Sequence, residues 1–292
     1  MENIAIFGKE LKQEHKDEIV FLFDYLNKKG IKVHTNRAYV ELFQGAIDES
    51  LIYNWLDRST PNPDFDLFIS IGGDGTFLES ALYVRNSNVP ILGINTGRLG
   101  FLARVKSGHI KAAIDQMFLG NFELEPRTPL CLEIDGDLFG EENFGLNEVT
   151  VHKNDDASMI IINTYIDGEF LNAYWADGLI IATPTGSTAY SMSVGGPIIM
   201  PGSENLVISP VAPHNLNVRP LVIPDNVTVE LSVEGRGDNF LVSLDSRIAR
   251  INSSTSLRVK KAPFKIQLVK LKGNSYLKNI REKLSWGLDK RN

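Results

Sequence analysis

Hydrophobic and polar residues alternate in a pattern typical of strands and helices along the first 120 residues. Residues 10–28 and 76–86 carry apolar positions at helical spacing, and the first of these segments ends in the stop signal Lys-Lys-Gly. Residues 36–57 predict short helices. The short apolar runs typical of buried strands are at residues 3–7, 31–34, 66–71 and 89–94. This alternation predicts a parallel sheet with helices on its faces, which defines an α/β domain.

The pattern changes near residues 121–129, and from there to about residue 262 strand-like runs dominate. Asp135-Gly136 and Asp167-Gly168 each separate two such runs, and Asp-Gly pairs in this setting predict tight β-hairpins. One more strand-like run, FKIQLVKL, and a helical segment, NSYLKNIREKL, follow. The chain is therefore expected to contain an α/β domain and a strand-rich domain.

Composition narrows the class of protein. The 292 residues fit two domains at about 150 residues each. The net charge of -6 disfavours nonspecific binding to nucleic acid or to an anionic membrane. The single cysteine, Cys131, excludes an intrachain disulfide and a Cys-based zinc site. The sequence shows no signal peptide and no apolar run near the ~20 residues that span a bilayer, so a cytoplasmic protein is expected.

The first glycine cluster, GGDGT at residues 72–76, follows the apolar run at 66–71. Thr76 and Glu79 have capping-box spacing, which predicts that a helix begins here. Backbone without side chains at a helix N-terminus is suited to phosphate, because free N–H groups and the helix dipole face the ligand. The candidate phosphate-binding residues are Gly72, Gly73, Gly75 and Thr76.

Asp74 is the one ionisable residue within this cluster. Beside phosphates, its carboxylate could accept a proton from an attacking hydroxyl or hold a metal ion. The alternative interpretation is an ordinary tight turn with a polar residue, and an isolated glycine-rich turn favours that alternative.

A second cluster, LGINTGRLGFL at residues 92–102, also follows an apolar run. Two such loops on successive strand–helix units are expected at the same sheet edge, which weakens the interpretation of both as simple turns. Arg98 could bind phosphate, although a surface ion pair is the more common role for such a residue.

A third cluster spans residues 176–198 and is rich in hydroxyl side chains after a predicted strand at 179–183. Its hydroxyls suit a polar ligand such as a ribose or a phosphate, or they cap a helix in a Ser/Thr-rich turn. A Walker A motif, a G-x-G-x-x-G fingerprint and a G-x-S-x-G nucleophile elbow are all absent from the sequence.

Five segments together resemble the NAD kinase family. They are GGDGTFL (72–78), LGINTGRLGFL (92–102), NEVTVHK (147–153), DGLIIATPTGSTAYS (177–191) and SPVAPHNL (209–216). GGDGT alone also occurs in phosphofructokinases and in diacylglycerol and sphingosine kinases. The NE pair followed by TPTGSTAYS is far more specific to NAD kinases.

This resemblance implies a fold of the NAD kinase and diacylglycerol kinase type. A Rossmann-like α/β domain carrying GGDGT is expected over residues 1–125, and an all-β sandwich domain that binds the dinucleotide over 126–264. Residues 265–292 are expected to return to the first domain as a strand and a helix. The active site is expected between the two domains.

The resemblance also implies the reaction. The γ-phosphoryl group of ATP moves to the 2′-hydroxyl of the adenosine ribose of NAD and forms NADP, with Mg²⁺ or another divalent cation on the phosphates. The expected partners are therefore NAD and ATP, without nucleic acid or membrane, and the expected assembly is a homodimer or homotetramer.

Residue by residue, Asp74 matches the catalytic aspartate of the family. No metal ligand is assigned in the chain. The residues that match dinucleotide contacts are Asp74, Gly75, Phe101, Asn147, Glu148, Asp177, Thr185, Thr188, Ala189, Tyr190 and Ser193.

Two positions depart from the family pattern. Trp175 stands where many relatives carry Arg, which leaves both NAD and NADH open as substrates. Asp245 is followed by Ser246 where relatives often have Gly, and no catalytic role is assigned to it. Two rival functions stay open: another GGDGT phosphotransferase acting on a sugar phosphate or a lipid, and a dinucleotide-binding regulator without enzymatic activity.

Overall fold

The chain folds into two compact units. A computed structural model describes residues 1–59, 64–97, 100–134, 136, 138–154, 159–236 and 239–287. The first unit comprises Met1–Pro126 together with Ile266–Asn292, and the second comprises Arg127–Lys265. The first is an α/β unit and the second is built of strands, so the predicted fold class is confirmed.

The first unit is built on one eight-stranded sheet. Its strands are β1 (Asn3–Gly8), β2 (Lys32–Thr35), β3 (Ile52–Trp55), β4 (Leu67–Gly72), β5 (Ile91–Asn95), β6 (Val105–Lys106), β7 (Phe122–Arg127) and β20 (Ile266–Leu271). The order across the sheet is β3-β2-β1-β4-β5-β20-β7, and β6 also pairs with β5. Strands β1 to β6 and β20 pair in parallel. The late strand β20 therefore lies inside the sheet, between two early strands.

Helices accompany the strands of this sheet. They are α1 (Lys16–Lys28), α2 (Arg37–Glu41), α3 (Asp74–Val84), α4 (Ile110–Phe118) and α6 (Tyr276–Leu284), with short 3₁₀ turns at Gln13–His15 and Glu49–Leu51. Helix α1 buries Ile19, Leu22, Phe23 and Leu26, the stripe that its sequence predicts. The helix ends before Gly30, whose φ of 75° suits the left-handed stop. In the described part of the chain, no helix has the length and apolar character to cross a membrane.

Three local predictions in this unit were wrong. Helix α1 begins at Lys16, because residues 13–15 form a 3₁₀ turn where the prediction began at residue 10. Residues 36–57 contain β3 as well as short helices; β3 is a four-residue edge strand with half its positions exposed, so its apolar signal is weak. Helix α3 begins at Asp74, and its N-cap is Gly73 without a side-chain hydrogen bond, so Thr76 and Glu79 form no capping box.

The second unit contains two antiparallel sheets of six strands each. One sheet consists of β15 (Leu221–Pro224), β14 (Asn205–Val211), β13 (Gly178–Ala182), β10 (Glu148–Lys153), β17 (Phe240–Leu244) and β18 (Arg247–Ile251), in that order. The other consists of β12 (Glu169–Ala176), β11 (Ile160–Ile166), β16 (Val229–Glu234), β19 (Leu257–Lys261), β8 (Leu130–Ile134) and β9 (Phe144–Gly145). Short helical segments are α5 (Tyr190–Ser193) and the 3₁₀ turns Gly140–Glu142 and Gly186–Thr188.

Side chains from both sheets share one hydrophobic core. Val149 and Val151 of β10 belong to the same buried cluster as Ile160 and Ile162 of β11. This cluster makes the unit a sandwich. Strand β13 is buried at every position, because Val194 and Ile199 cover its outer face at Ile180 and Ala182.

The hairpin predicted at Asp167-Gly168 is present. Ile166 pairs with Glu169, and the two turn residues have φ values of 48° and 82°, as a type I′ turn requires. The hairpin predicted at Asp135-Gly136 cannot be followed in the same way, because Asp135 lies outside the described residues. The next strand after Gly136, β9, pairs with β8.

Candidate active site

The Asp74 carboxylate is held by the main chain of the second glycine loop. Its Oδ2 accepts a hydrogen bond from the N–H of Phe101 at 2.8 Å, and its Oδ1 accepts from Leu102 at 3.0 Å and Ala103 at 3.1 Å. Asp74 also lies in the first turn of α3, where the helix dipole favours a negative charge. Three donors fix the position of this carboxylate, as a group acting on a substrate requires.

Glycines allow this close approach. A Cβ atom at Gly100 would overlap the Asp74 carboxylate, and one at Gly93 would lie 2.7 Å from the Cα atom of Ala103. The two loops also meet at the strand ends, where Gly72 is paired with Asn95 and the N–H of Thr96 reaches the Gly72 carbonyl at 3.4 Å. The structure therefore brings the first and second glycine clusters together. Arg98 lies outside the described residues.

Two glycines flank Asp74 in the sequence. Among the described residues, a Cβ atom at Gly73 or at Gly75 would meet no atom within 4 Å beyond its chain neighbours and its own helix backbone, and neither residue has a positive φ. A glycine inside a helix costs stability relative to alanine, so packing gives no reason for Gly75. The bare backbone faces open space next to the carboxylate, which is the arrangement a phosphate group needs. Thr76 differs, because its side chain packs on Gly72.

A lysine that the sequence analysis missed lies beside this carboxylate. The Nζ of Lys283, on α6, is 3.5 Å from Oδ2 of Asp74 and 4.2 Å from the centre of the Phe101 ring. Tyr276, on the same helix, lies 6.2 Å from that ring, centroid to centroid. The helical pattern of residues 276–284 was visible in the sequence, but nothing in it indicated that this helix reaches residue 74.

In the second unit, another carboxylate organises the NE pair. Asp245 accepts hydrogen bonds from the N–H groups of Leu146 at 2.9 Å, Asn147 at 2.8 Å and Glu148 at 3.2 Å. These bonds fix the start of β10. Asp245 is thus a structural residue of the candidate site, a role that the sequence analysis did not assign.

The NE pair is also tied to the hydroxyl-rich loop. The N–H of Thr183 donates to the carbonyl of Asn147 at 2.8 Å, and its hydroxyl donates to the carbonyl of Leu146 at 2.7 Å. A Cβ atom at Gly186 would overlap the Asn147 main chain, so glycine is required there. These two hydrogen bonds and the close approach at Gly186 therefore set the main-chain path of both the NE pair and the hydroxyl-rich loop.

The hydroxyls of this loop divide into two groups. Thr183, Ser187 and Ser191 are buried and hydrogen-bonded within the unit, so they stabilise the loop. Tyr190 and Ser193 are exposed, and Thr185, Thr188 and Ala189 are half-buried. The five residues of this loop that match dinucleotide contacts of the family are thus the ones that are not fully buried.

Glu148 is a buried carboxyl group with an unusual protonation equilibrium. The residue is only 7% exposed, and burial, followed by the nearby Asp245 carboxylate, raises the pKa of Glu148 to about 8, although the Tyr190 N–H opposes the shift. Its Oε2 has no hydrogen-bond partner among the described residues. An unpaired buried polar atom costs free energy, and a polar ligand would satisfy it.

Asp177 and His152 complete this region. Asp177 forms an ion pair with Lys153, with 2.7 Å between Oδ1 and Nζ. The His152 ring stacks on Tyr190 at 5.7 Å between centroids, and burial lowers the pKa of His152. A stacked aromatic pair beside Glu148 offers a flat surface for a planar ring.

Comparison with known proteins agrees with these motifs. The model of the ATP-NAD kinase N-terminal domain matches residues 4–122, and that of the ATP-NAD kinase C-terminal domain matches residues 146–271. The chain is 47% identical to the NAD kinase of Cytophaga hutchinsonii over 289 residues, which cover 99% of both chains. It is also 47% identical to the NAD kinase of Flavobacterium psychrophilum over 295 residues, again with 99% of both chains covered.

Two solved structures share the fold. Yeast NADH kinase complexed with NADH superposes with a TM-score of 0.85 at 22% identity, covering 98% of this chain and 88% of that one. The NAD kinase from Archaeoglobus fulgidus in complex with ATP gives a TM-score of 0.74 at 23% identity, with 98% and 99% covered. With family models on both units and relatives 47% identical over 99% of the chain, this protein is an enzyme of the NAD kinase family.

Proposed function

We propose that this enzyme transfers the γ-phosphoryl group of ATP to the 2′-hydroxyl of the adenosine ribose of NAD, with Asp74 as the proton acceptor. The observation that carries the proposal is the bare backbone of Gly73 and Gly75 beside a carboxylate fixed by three N–H groups. This arrangement offers space and donors for phosphate next to a group that can accept a proton.

The proton is assigned to one oxygen of Asp74. Oδ1 already accepts two main-chain hydrogen bonds, while Oδ2 accepts one from Phe101 and has the Lys283 Nζ as a looser neighbour at 3.5 Å, so Oδ2 keeps more accepting capacity. The ribose 2′-oxygen bonds to the γ-phosphorus, the bond from that phosphorus to the β–γ bridging oxygen breaks, and ADP leaves. The hydroxyl proton passes to Oδ2 of Asp74. In such transfers, positioning and charge stabilisation supply most of the catalysis.

The residues fit a divalent cation carried mainly by phosphates. The described part of the chain contains no group of three or more His, Cys, Asp or Glu side chains placed to hold a metal. Mg²⁺ usually binds through substrate phosphates and one or two carboxylates, and Asp74 is the carboxylate at the glycine loop. When bound, such an ion neutralises charge on the phosphate oxygens. Positioning of the acceptor hydroxyl remains the task of the protein.

The second unit supplies the proposed dinucleotide contacts. Asn147 and Glu148 are held by Asp245, and the unpaired Oε2 of Glu148 is available to a ribose hydroxyl or an amide. Because the pKa of Glu148 is about 8, this group binds in its neutral form near pH 7 and can donate its proton. The remaining proposed contacts are Gly75, Phe101, Asp177, Thr185, Thr188, Ala189, Tyr190 and Ser193.

A homo-oligomer fits the surface of the second unit. Strand β12 is a sheet edge, and Phe170 and Trp175 on it are exposed. Leu216 is 83% exposed and lies two residues after His214. The N–H of His214 donates to the carbonyl of Trp175 at 2.8 Å, which holds this segment next to β12. A second copy of this chain would remove these apolar side chains from water.

The base assignment predicts the behaviour of Asp74→Asn. The substitution removes the proton acceptor, so kcat for NADP formation should fall by about 10²–10⁴-fold. Turnover is measured with NAD, ATP and Mg²⁺ in a coupled dehydrogenase assay, and circular dichroism checks that the variant is folded. Glu79→Gln is the matched control, because it removes a carboxylate on the same helix that pairs with Lys9. A folded Asp74→Asn enzyme with near-normal kcat would disprove the assignment.

Gly75→Ala separates a ligand role from a packing role. A Cβ atom at residue 75 meets none of the described residues beyond the local backbone, so stability should stay equal or rise by up to about 1 kcal/mol. Turnover should fall at least ten-fold, because the methyl group occupies the space offered to phosphate. Gly30→Ala is the inverse control: its φ of 75° predicts a stability loss of about 1 kcal/mol with normal turnover. Full activity in Gly75→Ala would contradict the phosphate assignment.

The pKa of Glu148 predicts a pH-dependent stability. Between its ordinary value of 4.5 and about 8, the folded state keeps a proton that the unfolded state releases, so this group makes stability fall as pH rises through that interval. Glu148→Gln removes this contribution, and its urea unfolding free energy should decline less from pH 5 to pH 8.5. Parallel pH profiles for the two proteins would show that Glu148 is not buried with a raised pKa.

The assembly is tested by light scattering on the purified protein. We expect at least twice the mass of the chain, and Leu216→Asp should shift it toward the monomer because a charge replaces an apolar side chain at the interface. Leu119→Asp, at a leucine in the first unit that is 74% exposed, is the control and should leave the mass unchanged. A monomeric wild-type protein at tens of micromolar would rule the proposal out.

A further inference from the structure

A polar cleft lies within the first unit, apart from the Asp74 site. It has a volume of about 320 Å³ and is bounded by β6, one face of α4, the turn after β20 and one face of α6. Asp74 and the glycine loops do not line it. The cleft is therefore distinct from the candidate phosphate site, and its volume is in the lower part of the range for small-molecule sites.

The cleft is rich in positive charge. Its described lining includes four cationic side chains, Arg104, Lys106, Lys272 and Lys278, and one carboxylate, Glu282. Arg104 is also paired with Glu125, at 2.7 Å, so two carboxylates face four cations. Glu282 is shared between two of them, at 3.6 Å from the Nζ of Lys106 and 3.8 Å from that of Lys278. The chain as a whole carries a net charge of -6, so this local excess of cations runs against its overall charge.

A buried amide group supplies the second observation. Asn279 lines the cleft and is only 8% exposed, and its Nδ2 has no hydrogen-bond partner among the described residues. A buried N–H group without an acceptor is costly. Because this one belongs to a side chain that lines the cleft, a small shift of the amide toward the cleft would let a ligand supply the acceptor. With cations on the other walls, an acceptor that also carries negative charge fits best.

We propose that this cleft binds a small organic anion through phosphate or carboxylate oxygens. The amide of Asn279 donates a hydrogen bond to one oxygen, and Lys272 and Lys278 neutralise the charge. The Nζ of the exposed Lys272 is otherwise 3.1 Å from the side-chain oxygen of Asn121, an interaction that an anion can replace at little cost.

The cleft is linked to Asp74 by two elements. Arg104 donates from Nε to the carbonyl of Phe101 at 3.0 Å, and the N–H of Phe101 donates to Asp74. Helix α6 presents Lys278 and Asn279 to the cleft, and it also carries Lys283, which lies beside Asp74. An anion that immobilises this helix will therefore change turnover. This second part rests on the proposed role of Asp74, while the binding itself does not.

Thermal unfolding tests the binding. Wild-type protein, Lys272→Ala/Lys278→Ala and the control Arg281→Ala are each titrated with inorganic phosphate and, separately, with citrate, against chloride at equal ionic strength. Arg281 is an exposed cation on α6 that does not line the cleft. A ligand of the folded state raises Tm. Anion binding at the glycine loops is common to all three proteins and cancels in the comparison.

The wild-type and Arg281→Ala proteins should be stabilised alike, and the double variant should need roughly ten-fold or more anion for the same shift. A larger response to phosphate identifies a phosphate ligand, and a larger response to citrate identifies a carboxylate ligand. Equal responses in all three proteins would overturn the proposal. Asn279→Asp places a negative charge at the amide and should weaken the response further, provided that circular dichroism shows it folded.

Steady-state kinetics tests the link to Asp74. The anion that binds more tightly should alter kcat or the KM for NAD in the wild-type and Arg281→Ala enzymes, and much less in the double variant. Anion binding without any kinetic effect would overturn the proposed link to Asp74, while the proposed anion site itself would still be supported. A wild-type protein that forms no NADP would contradict the proposed function, while the unfolding experiment would still decide whether the cleft binds anions.

Discussion

The three hydrogen bonds to the Asp74 carboxylate join the first glycine cluster to the end of the second glycine cluster. They join the start of α3 to residues 101–103, and they need glycine at position 100 because any Cβ atom there would overlap the carboxylate. The same contact sets the direction of Phe101, whose ring then meets Tyr276 and Lys283 of α6. The loop, the aromatic ring and the last helix are thus positioned by one side chain.

The second unit uses the same device. Asp245 accepts hydrogen bonds from three successive N–H groups, at residues 146–148, and so fixes the main chain of the NE pair. In both units a carboxylate orders an irregular segment whose main-chain donors lack partners in a helix or a sheet ladder. Asp74 adjoins Gly73 and Gly75, where a Cβ atom would meet none of the described residues beyond the local backbone. Asp245 instead lies against Gly145, where a Cβ atom would be 3.0 Å from the Glu148 carbonyl oxygen and 3.1 Å from Oδ1 of Asp245. This difference separates a candidate reacting group from a structural one.

Sequence reasoning succeeded where the cause of a structure is local. The Asp167-Gly168 turn, the buried stripe of α1 and the apolar strands follow from backbone preference and hydrophobic periodicity. It failed where side-chain packing, and not the spacing of residue types, decides the outcome. Thr76 has the spacing of a capping box, yet its side chain packs on Gly72, and α3 begins at Asp74.

The candidate site was predictable to a similar extent. The glycine motifs and the NE pair could be found, because bare backbone and paired polar residues are visible in a sequence. Lys283 and the role of Asp245 could not, because their contacts with residue 74 and residues 146–148 span about 100 to 200 positions. The division of the hydroxyl-rich loop into buried and exposed members likewise depends on the packed fold.

The position of β20 has a consequence for biosynthesis. This strand lies between β5 and β7, and α6 follows it, so residues 266–284 complete the sheet begun by residues 3–8. Residues 127–265 leave the ribosome earlier and contain every strand of the second unit's two sheets. The sandwich can therefore close during translation, while the α/β sheet stays open at β5 until residues 266–271 have emerged. The half of the enzyme that is synthesised first is thus the half that finishes folding last.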